Sequence, residues 1–158
     1  MDGGTKVEPY ELAGDWAKMA NASIWDRYKY TRFVYGCLFE ASGSGQTCFD
    51  PLLFHYPTDN MTYTDIEHTF MVGDSILVAP VVESLASTTT KYEAYFPAGN
   101  WTDLDDYTTS EVKNGTTTKM SLTAKTTTVN KFLRQGRLIP VQMEGGIDST
   151  KASLEQNF

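Results

Sequence analysis

The sequence lacks long hydrophobic runs, a basic patch and a recognisable leader. No apolar run in its 158 residues approaches the roughly 20 that a transmembrane helix needs, so we expect no membrane span. The formal net charge is −7, and no basic patch is present to neutralise phosphates, which argues against a nucleic-acid partner. The first residues, Met1–Gly4, show neither the positive region nor the apolar region of a signal peptide.

Cysteine and histidine are scarce, which restricts redox and metal chemistry. Cys37 and Cys48 could close a short loop in an oxidising compartment. Two buried free thiols are the favoured alternative, because unpaired cysteine is among the most buried residue types. Neither His55 nor His68 stands at ligand spacing from a cysteine, so we expect no metal site and no cofactor.

Short catalytic motifs are missing as well. The sequence has no glycine loop that cradles a phosphate, no G-x-S-x-G elbow and no C-x-x-C pair. Asp103, Asp105 and Asp106 alternate as in a calcium loop but lack its downstream glycine and bidentate glutamate, which favours a solvated turn. Glu67 and His68 could form an acid–base pair, but strand neighbours point to opposite faces, which favours a structural role. We therefore assign no catalytic residue.

Aromatic residues, in contrast, are plentiful, with three tryptophans and nine tyrosines. Such rings could form a platform on which a sugar stacks. Trp16 and Trp25 lie on a predicted helix, where packing in a core is the favoured interpretation. Trp101 stands beside a predicted turn, and both interpretations stay open for it. A sugar-binding module is therefore one alternative function.

Four N-x-S/T sequons provide candidate N-glycosylation sites at Asn21, Asn60, Asn100 and Asn114. A threonine-rich chain produces some sequons by chance, but four indicate a secretory history. This expectation conflicts with the missing signal peptide unless the chain is the later part of a longer one.

The fold is predicted from hydrophobic periodicity. Phe70–Val82 is a nearly continuous, β-branched run, typical of a strand buried on both faces, and Pro80 is expected to end its ladder pairing. Apolar residues that recur every three or four positions predict one long helix over Trp16–Ala41, with a helical hairpin as the alternative. Asp15 is its expected N-cap, a kink is expected near Asn21–Ser23, and glycines and serines end it.

Short strands follow the helix and predict an antiparallel β-sandwich, so the fold class is mainly β. The predicted strands are Thr47–Tyr56, Glu67–Val72, Ser75–Val82, Lys91–Phe96, Trp101–Leu104, Glu111–Lys113, Thr116–Leu122, Thr128–Arg134 and Arg137–Val141. Asn114-Gly115 predicts a hairpin between its flanking strands, and Gln135-Gly136 predicts another. After Gln142 the pattern fades, so residues 143–158 are expected to be incomplete or disordered.

The order of short motifs along the chain is more specific than any one of them. The motifs are Glu8-Pro9-Tyr10, Arg27-Tyr28, Tyr35-Gly36-Cys37-Leu38-Phe39, Gly45-Gln46-Thr47, Asp50-Pro51-Leu52, Tyr56-Pro57-Thr58-Asp59, Phe70–Val81, Tyr95-Phe96-Pro97, Gly99–Asp103, Phe132–Gly136 and Leu138-Ile139-Pro140. Together they resemble the C-terminal third of glycoside hydrolase family 31, the α-glucosidases, over residues 8–142.

The resemblance implies a division of labour. Residues 1–45 would be the end of a catalytic (β/α)₈ barrel, and residues 46–142 the β-sandwich that follows it. The family hydrolyses glycosides with retention, using a carboxylate nucleophile and a carboxylic acid. Both lie at barrel strand ends, upstream of this chain, so the resemblance implies a structural fragment that is inactive alone. Its expected partners are the remainder of the (β/α)₈ catalytic domain and an oligosaccharide. The parent protein is expected in the secretory pathway, secreted or lysosomal.

Some positions depart from the family pattern. Asp50 stands where the family usually has arginine, which could weaken a salt bridge at the domain junction. Arg32 replaces a common proline, Thr69 a glutamine and Gln135 a glycine. Without its barrel, the predicted helix should be the least protected element. Its aromatic stripe would also be uncovered, so an interaction protein that docks through this helix is a further alternative.

Overall fold

The computed structural model describes residues 8–64, 69–82, 85, 90–113, 119–142 and 149–155. A 3₁₀-helix at Pro9–Glu11 leads into two helices, and a short helix ends the described chain. The α-helices are α1 (Asp15–Tyr28), α2 (Thr31–Ser44), α3 (Leu52–His55) and α4 (Thr150–Glu155). The strands are β1 (Phe49–Pro51), β2 (Phe70–Val72), β3 (Ile76–Ala79), β4 (Lys91–Tyr95), β5 (Gly99–Asp103), β6 (Thr109–Val112), β7 (Lys119–Thr123) and β8 (Asn130–Arg134). None of the described helices is long and apolar enough to cross a membrane.

The antiparallel sandwich predicted from the sequence is confirmed. One sheet has six strands in the order β1-β2-β3-β8-β5-β6, and the other pairs β4 with β7. Every pairing is antiparallel. The core between the sheets joins Leu77, Trp101 and Phe132 of the larger sheet to Tyr95 and Leu122 of the smaller one. Burial of these side chains from both sheets is the dominant force that holds the two layers together.

Strand β3 occupies the centre of the fold, as its apolar sequence predicts. It pairs with β2 on one side and with β8 on the other. Leu77 and Ala79 enter the core between the sheets, whereas Ile76 and Val78 pack in a second cluster on the outer face. Pairing ends at Ala79, one residue before the proline that has no N–H to donate.

The structure has two helices and not the single long helix, so it favours the alternative that the sequence left open. They meet at Lys29 and Tyr30, whereas α1 runs unbroken through Asn21–Ser23, where a kink was expected. Tyr30 has φ −104° and ψ 8°, and its ring is buried against the outer face of the sheet. The N-cap of α1 is Gly14, whose φ of 62° suits glycine, and not Asp15.

The predicted hairpin at Asn114-Gly115 is also wrong. Strand β6 pairs with β5 and strand β7 pairs with β4, so the strands on either side of this dipeptide belong to different sheets. The dipeptide itself lies outside the described residues. A turn dipeptide reports local backbone preference, but the partner of a strand is chosen by which face it must bury.

Three further segments differ from the sequence prediction. Only Phe49–Pro51 of the predicted first strand is extended, and Pro51 then begins helix α3 as its N-cap. Arg137–Val141 is irregular, and the segment ends where the Gln142 N–H donates to the Lys29 carbonyl at 2.8 Å. Within the tail that was expected to be disordered, Thr150–Glu155 is helical.

Candidate functional site

The helices meet the sandwich on the outer face of the larger sheet. Phe33, Val34 and Cys37 of α2 pack on Val72 and Ile76 of the sheet. This junction between the helical segment and the β-domain is where charged, apolar and sulfur-containing groups converge. This junction is therefore the candidate functional site.

A buried ion pair fastens α1 to the sheet. Lys131 Nζ on β8 donates to Asp26 Oδ2 on α1 at 2.7 Å, and both side chains are about nine-tenths buried. The same ammonium reaches Asp105 Oδ1 at 3.3 Å and the Val129 carbonyl at 3.0 Å, and it stands 5.7 Å from the centre of the Tyr30 ring. Because the ammonium has several partners, its desolvation is compensated and the pair can persist in the interior.

A second lysine extends this network towards the β5–β6 turn. Lys125 Nζ donates to Asp105 Oδ2 at 2.7 Å and to Asp103 Oδ2 at 3.5 Å, and the Thr128 hydroxyl donates to Asp105 at 3.2 Å. Burial raises the pKa of Asp105, but the hydrogen bonds and charges of Lys125 and Lys131 outweigh it and hold that pKa below its ordinary value. Burial likewise lowers the pKa of Lys125, and its two carboxylate partners outweigh this and raise it.

The aspartates that suggested a calcium loop therefore have two different roles. Asp103 and Asp105 are ion-paired with lysine, which the expectation of a solvated turn missed. Asp106 does belong to a turn, where its carboxylate accepts from both the N–H and the hydroxyl of Thr108. No cluster of three or more metal-ligating side chains occurs among the residues that the structure describes.

We predict that this network weakens at both ends of the pH range. A depressed Asp105 pKa contributes stability above the unfolded value near 4, and this is lost as the pH falls through the folded pKa. The raised Lys125 pKa contributes stability below about 10.4, which is lost as the pH rises through the folded value. Urea midpoints measured between pH 2.5 and pH 11 should fall at both ends of this range, and we call these two decreases the acid limb and the alkaline limb.

The variant Asp105→Asn tests the assignment of the acid limb. Its urea midpoint should fall at pH 7 and should change less than that of the native chain between pH 7 and pH 2.5. Glu111→Gln, which removes an exposed carboxylate from β6, is the matched control and should keep the native profile. An unchanged acid limb in Asp105→Asn would show that other carboxylates cause the acid loss.

The outward face of the helices carries uncovered apolar side chains. On α2, Tyr35, Leu38 and Phe39 follow the i, i+3, i+4 spacing of one helix face and are 54%, 48% and 73% exposed. Trp16 and Trp25 on α1 are 71% and 47% exposed, so the prediction that they pack in a core is wrong. Several large exposed apolar residues within one helical pair are typical of a surface that another polypeptide covers.

Trp101, the third tryptophan, lies in the core between the sheets. It is 1% exposed, and its indole N–H donates to the Pro97 carbonyl at 2.8 Å. Its ring contacts Phe96 edge-on and the tilted ring of Tyr56. A sugar cannot stack on this ring in the folded chain, so a binding platform at Trp101 is excluded.

A groove of about 690 Å³, lined by both charged and apolar side chains, lies between α2 and the start of the sandwich. Asp50 is buried at its wall, where it accepts from the Thr47 hydroxyl and from His55 Nε2, the latter at 3.0 Å. Arg32 and Cys37 of α2 also line the groove. The local hydrogen bonds of Asp50 show how an acidic residue is accommodated at this junction.

The two cysteines are joined. Cys37 on α2 and Cys48 before β1 form a disulfide with a Cα–Cα distance of 5.6 Å, so the expectation of two free thiols is wrong. A local sequence pattern could not have decided this, because the pairing depends on how α2 lies on the sheet.

The remaining candidate residues are spread over the surface. Asn21 on α1, Asn60 in a 3₁₀-helix and Asn100 on β5 are exposed, whereas Asn114 lies outside the described residues. Glu67 and His68 also fall outside them. No two of the described sequon asparagines share an element, and each stays a candidate glycosylation site.

Comparison with known proteins agrees with the motif order. The model of the glycosyl hydrolase family 31 C-terminal domain matches residues 45–139. A probable α-glucosidase of Oryza sativa subsp. japonica is 36% identical over 80% of this chain and 14% of its own length. Alpha-glucosidase 2 of Bacillus thermoamyloliquefaciens is 33% identical over 87% of this chain and 16% of its own.

A solved structure extends the match to the helices. The GH31 dextranase of Flavobacterium johnsoniae, complexed with glucose, is 29% identical to this chain and superposes with a TM-score of 0.74. The superposition covers 89% of this chain and 17% of the dextranase. This chain therefore spans about one-sixth of the length of its relatives.

Proposed function

The chain belongs to glycosyl hydrolase family 31, and from this premise we propose that it is the structural C-terminal part of a retaining α-glucosidase-like hydrolase. The observation that carries the proposal is that a well-packed sandwich presents an uncovered apolar helical face. The matched relatives have about six times as much chain, and such a face needs a cover. We propose the remainder of a (β/α)₈ catalytic domain as this cover.

The arrangement of carboxylates supports a structural role. A retaining glycosidase needs two carboxyl groups about 5–5.5 Å apart, one of them protonated to act as an acid. Asp103 and Asp105 are close enough to share Lys125, but both are ion-paired, and the Asp105 pKa lies below its ordinary value. That shift is the reverse of what a general acid requires. Asp26 and Asp50 are likewise engaged with partners of the junction.

The direction in which α2 packs supports the docking role. Its inner face, with Phe33, Val34 and Cys37, contacts the sheet. Tyr35 and Leu38 border the groove between the helices and the sheet, and all three of Tyr35, Leu38 and Phe39 stay largely exposed. The ion pair at Lys131 holds α1 in place at the same time. The start of the face is thus presented by helices that already pack on the sheet, which lowers the entropic cost of binding a partner.

In the whole protein we propose hydrolysis of α-glucosides or maltooligosaccharides in the secretory pathway. The disulfide between Cys37 and Cys48 supports an oxidising compartment, and the exposed sequon asparagines agree with it. The alternative function, sugar binding by this chain alone, relied on stacking on Trp101, and the burial of that ring removes this support.

A replacement experiment tests the proposal. The segment of the Bacillus α-glucosidase that matches this chain is exchanged for residues 8–142, and glucose release from maltose is measured. We expect turnover within about tenfold of the parent enzyme, since a misplaced barrel wall would cost about 10²-fold. The isolated chain should release no glucose from maltose or an aryl α-glucoside above the buffer rate.

Single substitutions in this hybrid enzyme test which face of the chain docks on the barrel. Tyr35→Ser should lower its thermal midpoint and its turnover, because this ring would be buried against the barrel. Tyr107→Ser, which removes a tyrosine that is 74% exposed in the turn between β5 and β6, is the control and should change neither. The proposal is wrong if the isolated chain turns over substrate, or if a folded hybrid protein is equally insensitive to both substitutions.

A further inference from the structure

We propose that the Cys37–Cys48 disulfide is a thiol-reducible clasp that decides whether the C-terminal half of α2 stays on the sandwich. A small thiol reaches it at Cys37 through the groove beside α2. Reduction then releases Leu38–Ser44 while the sandwich stays folded. The inference does not depend on the enzyme activity of any larger protein.

The C-terminal end of α2 has few attachments to the sandwich. No residue of α2 is fully buried, and its members of the outer apolar cluster are Phe33, Val34 and Cys37. Beyond Cys37 the large side chains are exposed. Among the described residues, α4 also contacts α2, but α4 is a single six-residue segment. The disulfide is therefore the main attachment at this end of the helix.

The sequence of α2 also has a low helical propensity. Gly36 and Gly43 lower its helical propensity, and glycine costs about 1 kcal/mol relative to alanine inside a helix. The hydroxyls of Ser42 and Ser44 donate back to the carbonyls of Phe39 and Glu40, so they add no contact to the sheet. A segment with weak propensity and little buried surface should unwind once its covalent anchor is cut.

The two sulfurs differ in exposure. Cys37 lines the groove, which is open to solvent, and is only partly buried against the outer apolar cluster, whereas Cys48 is 3% exposed within that cluster. An attacking thiolate needs access to the sulfur with which it forms a bond. The difference in exposure therefore favours attack at the Cys37 sulfur over the Cys48 sulfur.

Reduction of the disulfide proceeds by thiol–disulfide exchange in two steps. The thiolate of the reductant forms a bond to Cys37 Sγ, the Cys37–Cys48 bond breaks, and its electron pair leaves on Cys48 Sγ, which takes up a proton. A second thiolate then attacks the reductant sulfur of the mixed disulfide and releases Cys37. Two electrons pass from two thiols, which become one disulfide. Cys48 leaves into apolar surroundings that disfavour its thiolate, so the native clasp should open slowly.

Trapping with glutathione tests the site of attack. The oxidised chain is incubated with reduced glutathione, free thiols are blocked with N-ethylmaleimide, and peptides are quantified by mass spectrometry. We expect the glutathione adduct on Cys37 to exceed that on Cys48 by at least tenfold. Equal adducts, or an excess on Cys48, would overturn the proposal, as would two free thiols in the untreated chain.

Hydrogen exchange tests the consequence. In the chain reduced with a phosphine, amides of residues 38–44 should exchange at least tenfold faster than in the oxidised chain, while those of β3 change less than twofold. Unchanged exchange in residues 38–44, or equal acceleration in β3, would refute a local clasp. The double variant Cys37→Ser/Cys48→Ser should match the reduced state, and if it does not fold, the reduced native chain alone decides.

Discussion

Replacing Lys131 by methionine is expected to lower the free energy of unfolding by about 3–5 kcal/mol, the cost of leaving one buried charge of an ion pair uncompensated. Asp26 is nine-tenths buried in α1 and would lose the ammonium that lies 2.7 Å from its carboxylate. The same ammonium contacts Asp105 and the Tyr30 ring, so the loss extends to the turn after β5 and to the junction of α1 with α2. Urea unfolding followed by circular dichroism measures the change.

Lys18→Met is the control for this prediction. Lys18 Nζ pairs with Asp15 at 3.0 Å, and both side chains are about four-fifths exposed. An exposed pair contributes about 0–1 kcal/mol, so this variant should stay close to the native chain. The double variant Asp26→Leu/Lys131→Met should recover part of the loss, because neither charge is then buried alone. Equal effects of the two single lysine variants would contradict a buried anchor.

This ion pair changes the expectation for the stability of the helical segment. From the sequence, the whole helix should be the least protected part of the chain. With Asp26 fastened to β8, we expect protection to be divided, so that α1 is held by the ion pair and the end of α2 depends on the disulfide. Opening therefore begins beyond Cys37 and not at the first helix.

Trp101→Ala is the second prediction with a large effect, and we expect it to cost about 3–5 kcal/mol. The indole is 1% exposed in the core between the two sheets, where it contacts Phe96 and Tyr56. Its removal leaves a cavity among side chains that both sheets hold in place, and the Pro97 carbonyl loses the indole N–H that donates to it. The two layers are expected to separate at lower urea concentration.

The other tryptophans provide the control for this variant. Trp16→Ala changes the same atoms on a side chain that is 71% exposed, so it should shift stability by no more than about 0.5 kcal/mol. If Trp101→Ala does not fold, Trp101→Phe keeps most of the ring and should still be measurably less stable than the native chain. Similar costs for Trp16→Ala and Trp101→Ala would show that the inter-sheet core is not centred on this ring.

Much of the architecture was predictable because the pattern of apolar and polar residues along each strand reflects which of its faces are buried. The apolar run at Ile76–Ala79 indicated a strand covered on both faces, and Pro80 marked its end. The ordered motifs identified the family, since a series of short segments in one order is rarely matched by chance. The glycine at position 45, with φ 75°, ended α2 as the glycines and serines there predicted.

The candidate site was largely hidden from sequence reasoning. Asp26 and Lys131 are 105 residues apart, and neither stands in a motif. Trp16 and Trp25 satisfied a helical spacing that was interpreted as core packing, yet both are exposed. Periodicity shows which residues share a face but not whether that face is turned to the sheet or away from it.

The sequence by itself determined the family, the sandwich of antiparallel strands and the central position of β3, because alternation of burial and turn chemistry are local properties of a chain. Only the tertiary structure decided that β6 and β7 lie in different sheets, that Lys131 anchors α1 and that Cys37 meets Cys48. These contacts join segments that are distant along the chain or depend on how a helix is oriented on the sheet. They are selected by complementary packing of whole surfaces, which no short window of residues encodes.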